Sequence, residues 1–242
     1  MASTLRIAAV ADIHCGHENR DFVKSLFSRA AKEADVLLLC GDLTHRGTVE
    51  EAHILAEQLS ALANIPVMAV LGNHDFENGA EKQVESSLLN AGVAVLDGDV
   101  REVRGVGFVG LKGFAGGFGR FQLEAWGEST IKDFVQEAVD EALKLESALA
   151  RLENEKRVVF MHYSPVACTI EGEPREIFPF MGSSRLEQPI DWFGAAAVFH
   201  GHAHGGTAEG TTAHDIPVYN VSLHVLQKAF PDRPPFRIIE MP

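Results

Sequence analysis

The chain has 242 residues, 46% of them hydrophobic and 23% charged, with a formal net charge of -13 at pH 7. That balance excludes a disordered chain and allows a sizeable core. The acidity argues against general binding to nucleic acid or to anionic membranes, which both need clustered Lys and Arg. Cys15, Cys40 and Cys168 lie far apart without C-x-x-C or zinc-finger spacing, which reads as reduced thiols in a cytoplasmic protein.

In chain order, strand-like and helix-like segments alternate. Leu5 to Ala11 is a β-type run ending at Asp12-Ile13-His14. It is too short to cross a membrane and carries no cleavage site, so no targeting segment is expected. Phe22 to Ala34 has apolar residues at helical spacing, and Val36 to Leu39 is an uninterrupted apolar run stopped by Gly41-Asp42. Such a run predicts a strand buried on both faces. Thr48-Val49-Glu50-Glu51 is a capping box that should open a helix to about Leu62. Val67 to Leu71 predicts a third strand, ending in Gly72-Asn73-His74-Asp75. Three strand-then-helix units in succession imply parallel strands with right-handed crossovers. Their polar ends then share one edge of one sheet, where ligands bind in such sheets.

Glu81 to Asn90 reads as a helix, and Val93 to Leu96, Val100 to Val103 and Val106 to Leu111 as the strands of a meander. The glycine-rich stretch from Gly113 to Gly119 lacks the residues of a P-loop and is expected to be a mobile loop. Ser129 or Thr130 should cap a long amphipathic helix through Leu152, before the strand Val158 to Met161 and His162. Tyr163 to Pro189, with four prolines, Phe178, Phe180, Arg175 and Arg185, is expected to be a substrate-facing flap without regular structure. Ala195 to Phe199 leads into His200-Gly201-His202-Ala203-His204, followed by hairpin segments and a last strand near Phe236 to Ile239. Residues 1–242 are expected to form one domain with two stacked sheets.

The chemistry gathers at the strand ends. Asp12 and His14 are two apart, as are His202 and His204, so in extended backbone each pair can face one ion. With Asp42, Asn73 and His162 the set holds two carboxylates, one amide oxygen and four imidazoles. Oxygen and nitrogen donors without thiolate suit manganese, iron or zinc, as divalent or trivalent ions. With Asp42 shared, each of two ions has about four protein ligands and open positions for water and substrate.

Asp12-x-His14, Gly41-Asp42, Gly72-Asn73-His74-Asp75, His162 and Gly201-His202-x-His204 resemble the five ordered blocks of the calcineurin-like metallophosphoesterases. The resemblance implies an α/β fold, a four-layer α/β/β/α sandwich of two mixed sheets flanked by helices. It implies Asp12, His14, Asp42 and His204 on one ion, and Asp42, Asn73, His162 and His202 on the other. The implied reaction is in-line attack on phosphorus by a metal-bridging hydroxide. His74 would contact the phosphate or protonate the leaving group, beside the bridging Asp42.

Departures from the family pattern narrow the substrate. In Gly41-Asp42-Leu43-Thr44-His45-Arg46-Gly47, His45 replaces the second aspartate of serine/threonine protein phosphatases, and Leu71 stands where they carry a phosphate-binding arginine. The pattern is closer to the bacterial phosphodiesterase branch. The expected substrate is a small or nucleotide-type phosphoester, diester or monoester, with Asn73, His45 and Arg46 as candidate contacts. Arg46 is equally readable as a solvated loop arginine. A non-catalytic metal-binding scaffold on the same fold is the alternative, and a DNA nuclease is opposed by the acidic balance. His17, His45 and His200 are either supporting residues or bland loop histidines, His53 a surface residue, and His214 and His224 are not expected to ligate. Cys15 is read as incidental, and Trp126, Phe114 and Phe118 as packing residues ahead of rings that stack on a nucleobase or shape the cleft.

Overall fold

The computed structural model describes residues 4–62 and 64–242. The expectation for a targeting segment concerns in part residues 1–3, which lie outside the described residues. The first sheet is built on three parallel strands, β1 (Leu5–Val10), β2 (Val36–Cys40) and β3 (Val67–Val70), linked by α1 (Arg20–Glu33) and α2 (Val49–Ser60). β2 is buried throughout because both its faces are covered. Leu37 and Leu39 pack against Leu26, Phe27 and Leu55 of the helices. Val36, Leu38 and Cys40 instead meet Phe108, Phe160 and Phe199 of the second sheet. An apolar run without alternation is what two covered faces require. After β3 come the short α3 (Asn73–Phe76) and α4 (Glu81–Asn90), then β4 (Ala94–Val95), which pairs parallel to β3; β11 (Arg237–Met241) pairs antiparallel to β1, completing the order β11-β1-β2-β3-β4.

The second sheet contains β5 (Asp99–Val103), β6 (Val106–Leu111), β7 (Lys156–Met161), β8 (Ala197–His200), β9 (Glu209–Thr211) and β10 (Pro217–Asn220). Its order is β5-β6-β7-β8-β10-β9. The outer face of this sheet is covered by α5 (Ser129–Ala150) and α7 (Ser184–Phe193), through Leu145, Leu149, Leu186 and Ile190. Helices on the outside and apolar strand faces between the sheets give four layers, α/β/β/α. Among the described residues, no helix is long and apolar enough to cross a membrane.

Four expectations are corrected. Val93 to Leu96 does not open a meander: the Leu96 amide bonds to the Ala69 carbonyl of β3. The turn that follows carries the chain to the other sheet, where β5 and β6 pair as a hairpin. The glycine-rich stretch is pinned, with Gly116 and Gly117 amides donating to the carbonyls of Pro179 and Gly182 and Gly113 to Glu141. The long helix α5 begins after Glu128 with no side-chain cap and ends at Ala150.

The segment 163–189 is not loop throughout. It holds two 3-10 turns (Cys168–Ile170 and Arg175–Ile177), the short helix α6 (Phe178–Met181) and most of α7, which contains Pro189. Proline there removes the amide that would reach the Arg185 carbonyl. The helix persists because Leu186, Pro189 and Ile190 are buried on one face and Ser183 caps its start.

The capping box at α2 is present: the Thr48 hydroxyl accepts from the Glu51 amide at 3.2 Å while Glu51 accepts from the Thr48 amide. Thr48→Ala should lower unfolding free energy by about 1 kcal/mol, measured by urea denaturation, with the slope of the transition unchanged.

Candidate metal centre

The parallel strands β1, β2 and β3 deliver Asp12, Asp42 and Asn73 to one edge of the first sheet, and β7 and β8 deliver His162 and His202 from the second. The backbone there is forced. Among the described residues, six non-glycine residues have positive φ, and four of them are Asp12 (56°), His14 (42°), Asp42 (50°) and His202 (68°). Each costs about 1–3 kcal/mol and persists only where the surroundings over-determine it. Burying Leu37, Leu38 and Leu39 beside Asp42 supplies about 1.5–3 kcal/mol each, enough to hold that bend. Gly41 and Gly72 are needed for close approach. A Cβ on Gly41 (φ 88°) would meet the His162 ring at 2.4 Å, and one on Gly72 would meet Asp42 at 2.2 Å.

Two groups of donors result. Asp12, His14, Asp42 and His204 form one, and Asp42, His162 and His202 the other, with the donor atoms of each group within 4.8 Å of one another. Asp42 belongs to both. Asn73 joins the second group, its Oδ1 lying 2.9 Å from His162 Nε2. The structure therefore brings together all seven residues singled out in the sequence, in the grouping that the resemblance implied.

The protonation pattern tests whether these residues fit cations. His162 Nδ1 donates to the Cys40 carbonyl at 3.1 Å, so Nε2 presents a lone pair. Nε2 lies 2.9 Å from Asn73 Oδ1 and 3.3 Å from Asp42 Oδ1, three ligand atoms converging on one point. Burial holds the His162 imidazole below its ordinary pKa, opposing a second proton. His202 Nε2 donates to the Phe180 carbonyl at 3.1 Å, leaving Nδ1 for the cluster. Burial lowers His202 to about 3 and His14 to about 4, so both rings are neutral at pH 7. The buried His14 Nδ1 has no hydrogen-bond partner.

The two carboxylates diverge. Burial works to raise Asp12, but its hydrogen bond with His204 and the surrounding imidazoles hold it well below the usual range. Burial, and then the charge of Asp12, push Asp42 up. His204 differs from the other rings, its hydrogen bond with Asp12 raising it; the remaining imidazole lone pairs and crowded oxygens form an electron-rich pocket suited to cations. The donor chemistry fits two metal ions without thiolate ligands.

The carboxylates are aimed by backbone amides: His202 N–H donates to Asp12 at 3.0 Å and His74 N–H to Asp42 at 2.9 Å. His74 itself lies at the rim, its ring 4.6 Å from that of His14. Its Nδ1 donates to the His45 carbonyl at 2.8 Å, so the backbone of His45 orients it where the phosphatases use an aspartate. The His45 side chain is exposed, 5.9 Å from the His14 ring. Arg46 is exposed and only its amide is engaged, with Glu51, so the structure does not draw its guanidinium into the cluster. His17 pairs with Glu50 on the surface, and His53 is exposed. His200 is buried, bonded to the Gly201 carbonyl and the Thr169 hydroxyl, and supports the turn before His202. Cys15 is buried, and its amide extends the β1–β2 pairing by bonding to the Leu43 carbonyl.

Three residues were not assigned from sequence. Asp75 is fully buried and accepts from the amides of Leu43, Thr44 and Gly72 and from the Thr44 hydroxyl, at 2.6–3.2 Å. It ties the loops after β2 and β3 together; its place beside two metal-block residues was the available signal. His224 stacks on His204 at 4.8 Å from α8 (Leu223–Ala229), a helix that the sequence pattern did not announce. Lys112 is half-buried, its ammonium 4.8 Å from the Phe114 ring and 5.4 Å from that of Tyr163.

The model of the family described as calcineurin-like phosphoesterase matches residues 5–206, which includes every residue of the cluster. The chain belongs to the calcineurin-like phosphoesterase family. Solved structures of calcineurin-like phosphoesterase fold agree over almost the full chain. The phosphopantetheinyl hydrolase of Mycobacterium tuberculosis is 14% identical, with 99% of this chain and 97% of that one covered and a TM-score of 0.71. The protein TT1561 of Thermus thermophilus is also 14% identical, covering 93% and 92%, with a TM-score of 0.58. The purple acid phosphatase PPD1 of yellow lupin is 12% identical, covering 86% of this chain and 38% of that one, with a TM-score of 0.54. At such identities the likeness establishes the fold. No curated protein matches the sequence.

Asp75→Ala would leave four donors around a sealed space without an acceptor. Each such buried loss costs about 1–3 kcal/mol, so the variant should lose at least about 3 kcal/mol in chemical denaturation. A loss below about 1 kcal/mol would show that the loops are held by other contacts.

Proposed function

We propose that the protein is a dinuclear metal-dependent phosphoester hydrolase of small phosphoesters. The observation that carries this reading is the convergence of seven oxygen and nitrogen donors into two groups that share Asp42, with Asn73 Oδ1 and Asp42 Oδ1 2.9 and 3.3 Å from His162 Nε2. A scaffold whose site has decayed would be expected to have lost donors, and all seven are present and convergent. The neighbouring phosphopantetheinyl hydrolase and purple acid phosphatase, on the same fold, support a phosphoester as substrate.

Two ions held by these residues would supply Lewis-acid polarisation of phosphoryl oxygens and activation of a water nucleophile. The chain's own residues do the rest. Asp42, fixed by the His74 amide, holds the two donor groups at one spacing. The Phe180 and Cys40 carbonyls fix the tautomers and ring directions of His202 and His162. His74 has Nδ1 committed to the His45 carbonyl, with Glu77 Oε2 at 3.5 Å from the same nitrogen. Its Nε2, on the opposite side of the ring, gives a proton to a departing alkoxide when the ring enters the reaction as the imidazolium, and is left neutral with its Nδ1 proton still on the His45 carbonyl. Backbone anchoring of the ring is compatible with that role and does not need the missing aspartate.

Chelation should abolish turnover of an aryl phosphoester, and manganese should restore it. By elemental analysis, Asp42→Asn should lower the content of both ions, whereas His14→Ala and His162→Ala should each remove about one. Full metal content in all three variants would refute the ligand set. His74→Ala should keep its metal and lose about 100-fold or more in kcat; wild-type turnover in that variant would remove His74 from the reaction.

A further inference from the structure

A cavity of about 750 Å³ lies between the glycine-rich stretch and the segment that follows β7. Phe118, Phe121 and Phe178 line it, with Arg175, Ala167 and Gly172. The proposed reaction uses none of these residues. Two contacts make the cavity a neighbour of the metal centre. The Glu173 carboxylate, in its wall, accepts from the Gly205 amide at 2.6 Å, one residue beyond His204. Phe178 and Pro179 in the same wall precede Phe180, whose carbonyl fixes His202.

We infer that this cavity holds a flat aromatic or heteroaromatic group esterified to the substrate phosphate. The inference rests on the phosphoesterase reading and names the substrate class for it. The volume suits a ring system and not a methyl group, since ligand pockets of this kind run from about 300 to 1,000 Å³. Three phenylalanines, Phe118, Phe121 and Phe178, share the wall with Glu171, Glu173 and Arg175, and phenylalanine rings favour offset or edge-to-face contact with another ring. A guanidinium, from Arg175, is available to stack on a ring face, as Arg120 already does on Phe121 at 4.7 Å. Phe121, in the cavity wall, is 72% exposed. Exposed apolar surface grouped at a cleft marks a ligand contact more often than chance packing.

The test uses unreactive phosphonates, so that binding is read apart from chemistry. On the manganese-loaded protein, calorimetry should show benzylphosphonate binding about tenfold more tightly than methylphosphonate. It should also bind more tightly than cyclohexylmethylphosphonate, and saturation-transfer NMR should place the benzyl ring against protein. Phe121→Ala removes an exposed wall and Ala167→Trp fills the cavity from an exposed position, so neither disturbs the core. Both variants should lose the benzyl advantage while binding methylphosphonate as the wild type does. Equal affinity for the three phosphonates, or parallel losses for benzyl and methyl in the variants, would overturn the inference. Cyclohexylmethyl binding as tight as benzyl would overturn its aromatic specificity. Hydrolysis of the corresponding benzyl ester is scored separately. Aromatic preference without hydrolysis would leave the cavity assigned and remove the phosphoesterase reading, whereas hydrolysis without preference would do the reverse.

Discussion

Two carboxylates, Asp12 and Asp42, are buried at 1% exposure in one pocket among imidazoles. In a medium where charges are poorly screened, this is the least comfortable arrangement in the molecule. Much of what surrounds it makes sense as compensation. Amides of His74 and His202 are turned onto the two carboxylates. Backbone bends with positive φ aim those amides, and glycines at 41 and 72 clear the space. The donor groups that gather there match what a pair of cations requires. Strain and desolvation concentrated at one edge of the sheets are tolerated because three parallel strands, apolar on both faces, anchor that edge.

Position within the sheets explains which parts of the chain could be read from sequence. β1, β2 and β3 stand out because burial on two faces leaves a continuous apolar run, and the next polar residue must then lie at the strand's open end. The metal-site residues were legible for that reason, and their order along the chain matched a family pattern. Residues that act by accepting or donating from the backbone were not. The carbonyls of Cys40, His45 and Phe180 orient three rings, yet any residue type supplies a carbonyl, so no letter in the sequence marks them.

The misread segments have equally physical causes. Four prolines between Tyr163 and Pro189 suggest an irregular loop, but Pro189 sits inside α7 because tertiary burial of Leu186 and Ile190 outweighs one lost hydrogen bond. Val93 to Leu96 looks like the first strand of a meander. The short strand joins the other sheet because the edge of β3 offers a partner there, a choice that depends on tertiary neighbours alone. α8 has seven residues, too few for a periodic signal, and is placed by the Leu223 amide bonding to the Ala11 carbonyl.

The bond from His162 to the Cys40 carbonyl runs from the second sheet to the first. Asp42 and Asn73 sit on one sheet, while His162 and His202 sit on the other, so the cluster spans the seam between the two halves of the sandwich. Between its ends that seam is held by apolar contacts such as Leu38 against Phe160, and at the far end Arg104 donates to Asp35 at 3.0 Å. Directional bonds at both ends lock the two halves against sliding, so the spacing of donors contributed from opposite sheets stays constant.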